Sequence, residues 1–351
     1  FVSDLKLRFG WGKVGNENIG DYRFATQFGG GTDQTFYDIA GNGSIQTGYT
    51  AVSLGDPGTG WEEKTTTNFG VDLSILDSKL DVVLDLYTSS VDGLLYNPPL
   101  PLTAGTPAPP FVNIGEMQNN GYDLALIWRP DVGNVKFNVT ANVSQYRNEI
   151  VRIDGELNEF FGRGGQGTRV GIPQINRVNN PVGTFYGYES VGIWQSQAEI
   201  DAANAMNPDG DFMPGAQVGG LRWNDVDSFD EETGERTGQP DGKITDADLT
   251  IIGNPHPDLT AGLNIGATYK NFDLSMFFYG SFGNDILNTT KQFTYFRQFN
   301  ANANTAVLDA WTPENNTSTI PALNINDTES RKISSFYVED GSYVRLKQLQ
   351  L

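Results

Sequence analysis

Cysteine is missing from the chain altogether, and histidine occurs once, at His256. The first absence removes disulfides and thiolate metal centres. The second removes His-based zinc sites and most general-base catalysis. Positive charge is also scarce, with 23 Lys and Arg against 43 Asp and Glu giving a formal charge of −20 over 351 residues. A nucleic-acid partner needs a basic stripe to neutralise phosphates, so that class is excluded. No apolar run approaches the ~18 residues that a membrane helix requires. Barrel strands cross a membrane with alternation alone, so a β-barrel stays open beside a soluble β protein. The chain begins at Phe1 in a strand-like run and stops at Leu351 in another, and it reads as an internal piece of a longer protein whose leader lies elsewhere.

Alternation is what the sequence has in abundance. In VKFNVTANVSQ, Val135, Phe137, Val139, Ala141 and Val143 share one face, against Lys136, Asn138, Thr140, Asn142 and Ser144. The same period carries Leu5, Leu7, Phe9 and Trp11, and it recurs from Phe69 to Ile75, Leu80 to Leu86, Tyr122 to Trp128, Leu263 to Tyr269 and Phe272 to Phe278. A period of two means strands with one apolar and one polar face. The run SYVRLKQLQL breaks step, since Val344 and Leu346 have one parity while Leu349 and Leu351 have the other. A β-bulge near Lys347 restores a single apolar face.

Sandwiches alternate too, so the connections must discriminate. Asp77 to Lys79, Arg129 to Asn134 and Lys270–Asn271 have hairpin length, whereas Ser89 to Asn120 and Arg147 to Pro257 are long. Structureless loops beyond ~15 residues are uncommon in compact domains. Short turns at one end and long loops at the other characterise outer-membrane barrels. The expected fold is therefore all-β, a transmembrane antiparallel β-barrel with short periplasmic turns and long extracellular loops. Residues 1–351 read as one partial barrel domain, with 147–257 as its large loop region. Leu7, Phe9, Leu73, Leu84, Leu126, Phe137, Val139, Ile265 and Leu274 are expected to face lipid, and Lys6, Arg8, Asp72, Asp85, Asp123, Asn138, Asn142 and Asp273 to face the lumen. Aromatics near strand ends (Trp11, Tyr87, Trp128, Tyr146, Tyr269, Tyr279) suit interfacial girdles.

Several motifs have bland readings. GWGKVG matches G-x-G-x-x-G through Gly10, Gly12 and Gly15, but a turn and a strand follow where a dinucleotide site needs a helix. Its glycines are expected to mark close backbone approach at a strand end. The Gly-rich Phe160 to Gly171 lacks a P-loop ending, Pro98 to Pro110 is a proline-stiffened arm, and no carboxylate pair stands out for glycoside cleavage.

One segment carries metal-site spacing. NDVDSFDEETGERTGQPDGKITDAD supplies Asp225, Asp227, Asp241, Gly242, Ile244 and Asp248, interrupted by Ser228 to Pro240. With the interruption removed, Asp225, Asp227, Asp241, the Lys243 carbonyl and Asp248 fall on the ligand positions of an EF-hand-type loop, and Gly242 on its turn. Hard oxygen donors without His or Cys select Ca²⁺. The expectation is a structural calcium ion, with 228–240 bulging out as a side loop. The rival is a solvated acidic loop with a DG turn.

LKLRFGWGKVGNENIGDYRF, WEEKTTTNFGVDLSIL, VNIGEMQNNGYDLAL, PVGTFYGYESVGIWQSQAEID, PDGKITDADLTIIGNPHPDLTAGLNIGATYKNFDLSMFFYGSFGNDILN and FYVEDGSYVRLKQLQL stand in this order along the chain. Together they resemble the conserved blocks of SusC-type TonB-dependent outer-membrane transporters. The family's loop is similar to D-x-N-x-DG-x-I, so the insert 228–240 is this chain's own variation, and GDPGTGWE departs from a family pattern at a loop. The resemblance implies part of the C-terminal half of a barrel of about 22 strands, a size that needs a plug. It implies that plug, first strands and TonB box lie upstream of Phe1 and the last strands beyond Leu351. It further implies a non-enzymatic importer of a glycan, oligosaccharide or peptide, working with TonB, outer-membrane lipid and a SusD-like surface lipoprotein lid. A secreted β-rich glycan-binding or glycan-degrading protein is the alternative, and it requires the Val135/Phe137/Val139 face to pack on a second layer. A passive porin would lack the plug.

Overall fold

The computed structural model describes all residues except 17–18, 32–34, 99, 101–102, 104, 106, 155–157, 162–170, 172, 208–209 and 297–301. The alternating runs form eight long strands: β1 (Val2–Asn16), β2 (Glu62–Ile75), β3 (Leu80–Asp92), β4 (Gly115–Trp128), β5 (Val135–Ile153), β6 (Leu259–Tyr269), β7 (Phe272–Phe282) and β8 (Tyr343–Gln350). Each pairs antiparallel with the next in chain order, and a short strand, Asp131–Val132, adds to β5. The result is a continuous meander, the wall of a partial barrel. No helix among the described residues is long and apolar enough to cross a membrane.

The connections fall on two sides. Ile75 pairs with Leu80, and Tyr269 with Phe272, so the turns at one end are tight. Leu76, Asp77 and Ser78 all take left-handed backbone (φ 56°, 55° and 62°), a conformation that costs non-glycine residues about 1–2 kcal/mol each. The long connections all lie at the opposite end, as the alternating strand directions require. The strands run further into them than alternation indicated: Ser89 to Asp92, Gly115 to Asn120 and Arg147 to Ile153 are paired strand, not loop. Backbone pairing continues there while the apolar periodicity stops, because beyond the apolar band lipid no longer selects one face.

Cross-strand register assigns the faces. Leu5, Leu73, Val82, Leu126, Ala141, Leu263, Phe278 and Leu346 follow one another as direct partners across the whole wall. All nine residues expected to face lipid share that side, and Lys6, Arg8, Asp72, Asp85, Asp123, Asn138, Asn142 and Asp273 share the other. The bulge is where the sequence placed it. Phe278 pairs with Leu346 and Phe277 with Gln348, leaving Lys347 as the extra residue and putting Leu346 and Leu349 on one face.

Two expectations are corrected. Tyr87, Tyr146 and Tyr279 lie on the polar side, since Tyr87 and Tyr146 both pair with Gly121, beside Asp123, and Tyr279 pairs with Gly262 and Arg345. Only Trp11, Trp128 and Tyr269 lie on the apolar side that a girdle needs, because proximity to a strand end does not fix parity. At Gly10 and Gly12 an added Cβ would meet nothing within 4 Å, so only Gly15, at 3.2 Å from the Trp61 ring, marks close approach.

The hydrophobic core is not in the wall. Among the described residues, no buried hydrophobic side chain precedes Ile150 in the chain. The buried cluster Tyr188, Trp194, Ile200, Ala203, Met213, Leu221, Trp223 and Ile244 belongs to the β5–β6 connection. There a four-stranded sheet (Glu159–Phe161, Gln174–Arg177, Thr184–Tyr188, Leu249–Gly253) and the pair Ser190–Ile193 with Leu221–Trp223 flank helix α1 (Gln197–Ala205). Helix α1 starts where Ser196 accepts the Glu199 amide and the Glu199 carboxylate takes the Gln195 amide. Ile200 and Ala203, on one helical face, are its buried contacts. Tyr188 stacks on Trp223 with ring centroids 5.6 Å apart. The lone histidine ties this region to the wall: its Nε2 donates to the Val182 carbonyl at 2.9 Å, so Nδ1 accepts from the Tyr146 hydroxyl at 3.1 Å.

Candidate functional site

The acidic loop leaves strand Leu221–Trp223 and ends in a single 3-10 turn, Asp246–Asp248, before strand Leu249–Gly253. Thr245 and Asp248 close a capping box on that turn. Gly242, at φ 84°, makes the DG turn, a backbone state that favours glycine. Its carboxylates are met by amides. Asp225 accepts from the Asp241 amide at 3.3 Å and the Gly242 amide at 2.7 Å. Asp241 accepts from the Lys243 amide at 2.9 Å. Asp248 is fully buried and accepts three amides, Oδ1 from Val226 and Asp227 at 2.8 and 3.2 Å and Oδ2 from Thr245 at 2.8 Å.

Asp227 is held differently. Its Oδ1 accepts from the Ser228 and Gly238 amides at 2.8 and 2.6 Å, and its Oδ2 pairs with Arg236 Nη1 at 3.2 Å. Burial opposes the Asp227 charge, yet the two amides and the guanidinium outweigh it and hold its carboxyl below the ordinary range. Burial pushes Asp225 the other way, with the Asp248 and Asp241 charges adding and the Gly242 and Asp241 amides opposing. Among the described residues, no three His, Asp or Glu are grouped so as to hold a metal ion. The five residues expected as ligands (Asp225, Asp227, Asp241, Lys243, Asp248) lie in one loop, and no three of its carboxylates form such a group. Of these carboxylates Asp227 is the one with a cationic partner from the chain itself, Arg236. The amide contacts of Asp225 and Asp248 do not discriminate, since an amide and an ion can share one carboxylate.

Sequence reasoning passed over Arg236, treating the insert as a bulge. Beside the ligand role expected of Asp248, the Thr245-x-x-Asp248 spacing is also a helix-capping signature, and the capping box is present.

The polar side of the wall carries the other arrangement. Arg8 forms ion pairs with Asp72 at 2.8 Å and Asp85 at 2.9 Å. Asp123 accepts from the Ser144 hydroxyl, and Asp273 from Thr268 at 2.6 Å. Three side chains here lie over a glycine directly across the ladder. An added Cβ would come within 2.6 Å of the Arg8 guanidinium at Gly70, 2.7 Å of the Tyr87 hydroxyl at Gly121, and 2.3 Å of the Asn142 amide at Gly262. Each is a direct register pair. The glycines make room for large polar groups to lie along the inner surface.

An up-and-down wall with an uncovered apolar face, a charged opposite face, short turns at one end and a folded loop domain at the other defines a stretch of an outer-membrane β-barrel. No family model matches the chain. The TonB-dependent receptor P3 of Formosa agariphila is 30% identical over 350 residues, covering 99% of this chain and 32% of that protein. The TonB-dependent receptor SusC of Bacteroides thetaiotaomicron is 24% identical over 361 residues, covering 100% of this chain and 31% of that protein. The solved RagAB peptide transporter superposes with a TM-score of 0.75 at 23% identity, covering 99% of this chain and 34% of its own. Over its whole length the chain is similar to TonB-dependent receptors, SusC among them, and it spans about a third of the length of the relatives it matches.

Proposed function

We propose that this chain forms wall and outer loops of a transporter that imports a glycan, oligosaccharide or peptide across the bacterial outer membrane, driven by TonB. One observation carries the reading: among the described residues, nothing forms a covering layer on the apolar side of the meander. Leu5, Leu7, Phe9, Phe69, Leu86, Leu126, Trp128 and Leu346 are all exposed on it. A secreted glycan-binding or glycan-cleaving protein would bury that side against a second sheet or helices. Lipid covers it at no such structural requirement. The relatives, named as receptors, support transport over catalysis.

The region 147–257 and the other long connections rise above the membrane in this reading, where a SusD-like surface lipoprotein caps them. Support for the lid comes from the folded core of those connections, more elaborate than closing a hairpin needs. For the acidic loop, a calcium ion on Asp225, Asp227, Asp241, Asp248 and the Lys243 carbonyl is one proposal, set against another below. The functional test uses the full-length protein in its native cells, with radiolabelled oligosaccharide and oligopeptide pools as probes. Uptake of one pool that stops on deleting the gene and on adding a protonophore is expected. Uptake of neither pool, or uptake unaffected by the protonophore, overturns energised import of these cargoes.

A further inference from the structure

The insert that interrupts the acidic loop is a built element. Asp230 Oδ1 accepts the Glu232 and Thr233 amides at 3.0 and 2.8 Å and forms a tip turn. The two limbs then pair: the Asp230 amide donates to Glu235 at 2.8 Å and the Thr237 amide to Ser228 at 3.0 Å. The Ser228 and Thr237 hydroxyls meet at 2.6 Å. This hairpin carries Arg236 back against the loop from which it departs.

We propose that Arg236 acts as a built-in cation that closes the acidic loop, so that the loop needs no metal ion. Its guanidinium reaches four groups from three segments. Nη1 meets Asp227 Oδ2 at 3.2 Å and the Ala247 carbonyl; Nη2 meets the Asp246 carbonyl at 3.2 Å and the Tyr186 hydroxyl at 2.8 Å. The ring of Phe229, its partner across the hairpin, lies 5.6 Å beneath it. Arg236 thereby links the first limb of the loop, its closing 3-10 turn and the neighbouring sheet strand. A calcium ion on the expected ligands would join the first limb to the closing turn through oxygens, without reaching the sheet strand. The planar, permanently charged guanidinium makes the three-way link with directed donors, and needs no ion concentration to do so. Asp248, at the closing end, is held by three amides. The hairpin is the length of chain that brings an arginine into the loop.

The test uses the full-length protein purified in mild detergent and nicked with proteinase K, with cleavage inside 225–248 followed by mass spectrometry. When opening and closing are fast, nicking tracks the open population. Wild-type protein is expected to nick at the same rate in EGTA and in about 1 mM CaCl₂, a concentration that fills weak extracellular sites. Arg236→Gln is expected to nick about tenfold faster or more, the effect of losing a charge-assisted hydrogen bond. Arg236→Lys, which keeps the charge but cannot span the four groups, falls between. Heat-modifiable migration on a gel reports whether each barrel is folded. Protection of the wild type by calcium overturns the proposal, and that arm needs no variant to fold. Wild-type nicking rates in folded Arg236→Gln overturn it as well.

Discussion

Placing an arginine at Val139 tests the assignment of faces most directly. Val139 pairs with Ile265 on one side and Trp128 on the other, and lies on the apolar face. At the base of the same strand Val135 pairs with Tyr269, one of the aromatics that suit a girdle. Val139 stands four residues further along, which at ~3.4 Å per residue and a tilt of about 40° puts it about 10 Å above that row. The apolar band is ~25 Å tall, so Val139 sits near its middle. Val139→Arg should then cost ~2–4 kcal/mol, roughly a 30- to 700-fold loss in the folded-to-unfolded ratio. Asn138→Arg places the same side chain one residue away, on the exposed polar face opposite Gly266, and should cost almost nothing. Urea titration of the full-length protein in liposomes, read by heat-modifiable migration, measures both. Equal losses for the two variants, or a larger loss at Asn138, would refute the membrane-facing assignment.

Gly121→Ala should destabilise the wall by about 1–3 kcal/mol, the usual range for overpacking, because its Cβ would meet the Gln145 carbonyl at 2.5 Å as well as the Tyr87 hydroxyl. Gly266→Ala, whose nearest neighbour is an ordinary 3.4 Å away, should be far milder in the same titration. Ser78→Gly should stabilise the β2–β3 turn by about 1 kcal/mol, since it relieves a left-handed serine; an unchanged urea midpoint would count against strain there. Deleting Lys347 should leave a folded barrel, because it removes the unpaired bulge residue and keeps Leu346 and Leu349 on their face, with only its contact over the Tyr279 ring lost. In the β7–β8 connection, the Lys291 contact at 2.9 Å holds the Glu339 carboxyl below its ordinary range, and Asn288 assists. That contribution is present above the unfolded carboxylate value and is lost as pH falls through the lower folded one. Proteolysis of this loop should therefore accelerate on acidification in the wild type, and the acceleration should be smaller in Glu339→Gln.

The sequence by itself determined the strands of the wall, the side each residue takes and the end at which the long connections lie. These are local properties. A chain with lipid on one side and a polar lumen on the other must alternate with period two, and a single extra residue, Lys347, is visible because it breaks that step. The same locality explains the limits. Where the strands outrun the apolar band, from Ser89 to Asp92 and Arg147 to Ile153, the period vanishes while the pairing persists. Tyr87, Tyr146 and Tyr279 sit near strand ends but take the polar side, as their parity against Leu86, Val143 and Phe278 requires. Gly70, Gly121 and Gly262 carried no signal, because their partners Arg8, Tyr87 and Asn142 become neighbours only when strands pair. In the acidic loop the spacing of Asp225, Asp227, Asp241 and Asp248 was legible. Which of the chain's donors meet those carboxylates is set by tertiary structure, which folds Arg236 of the insert and the amides of Val226, Asp227 and Thr245 onto them. A list of acceptors can be read along a chain, but which donors reach them depends on how distant segments fold together.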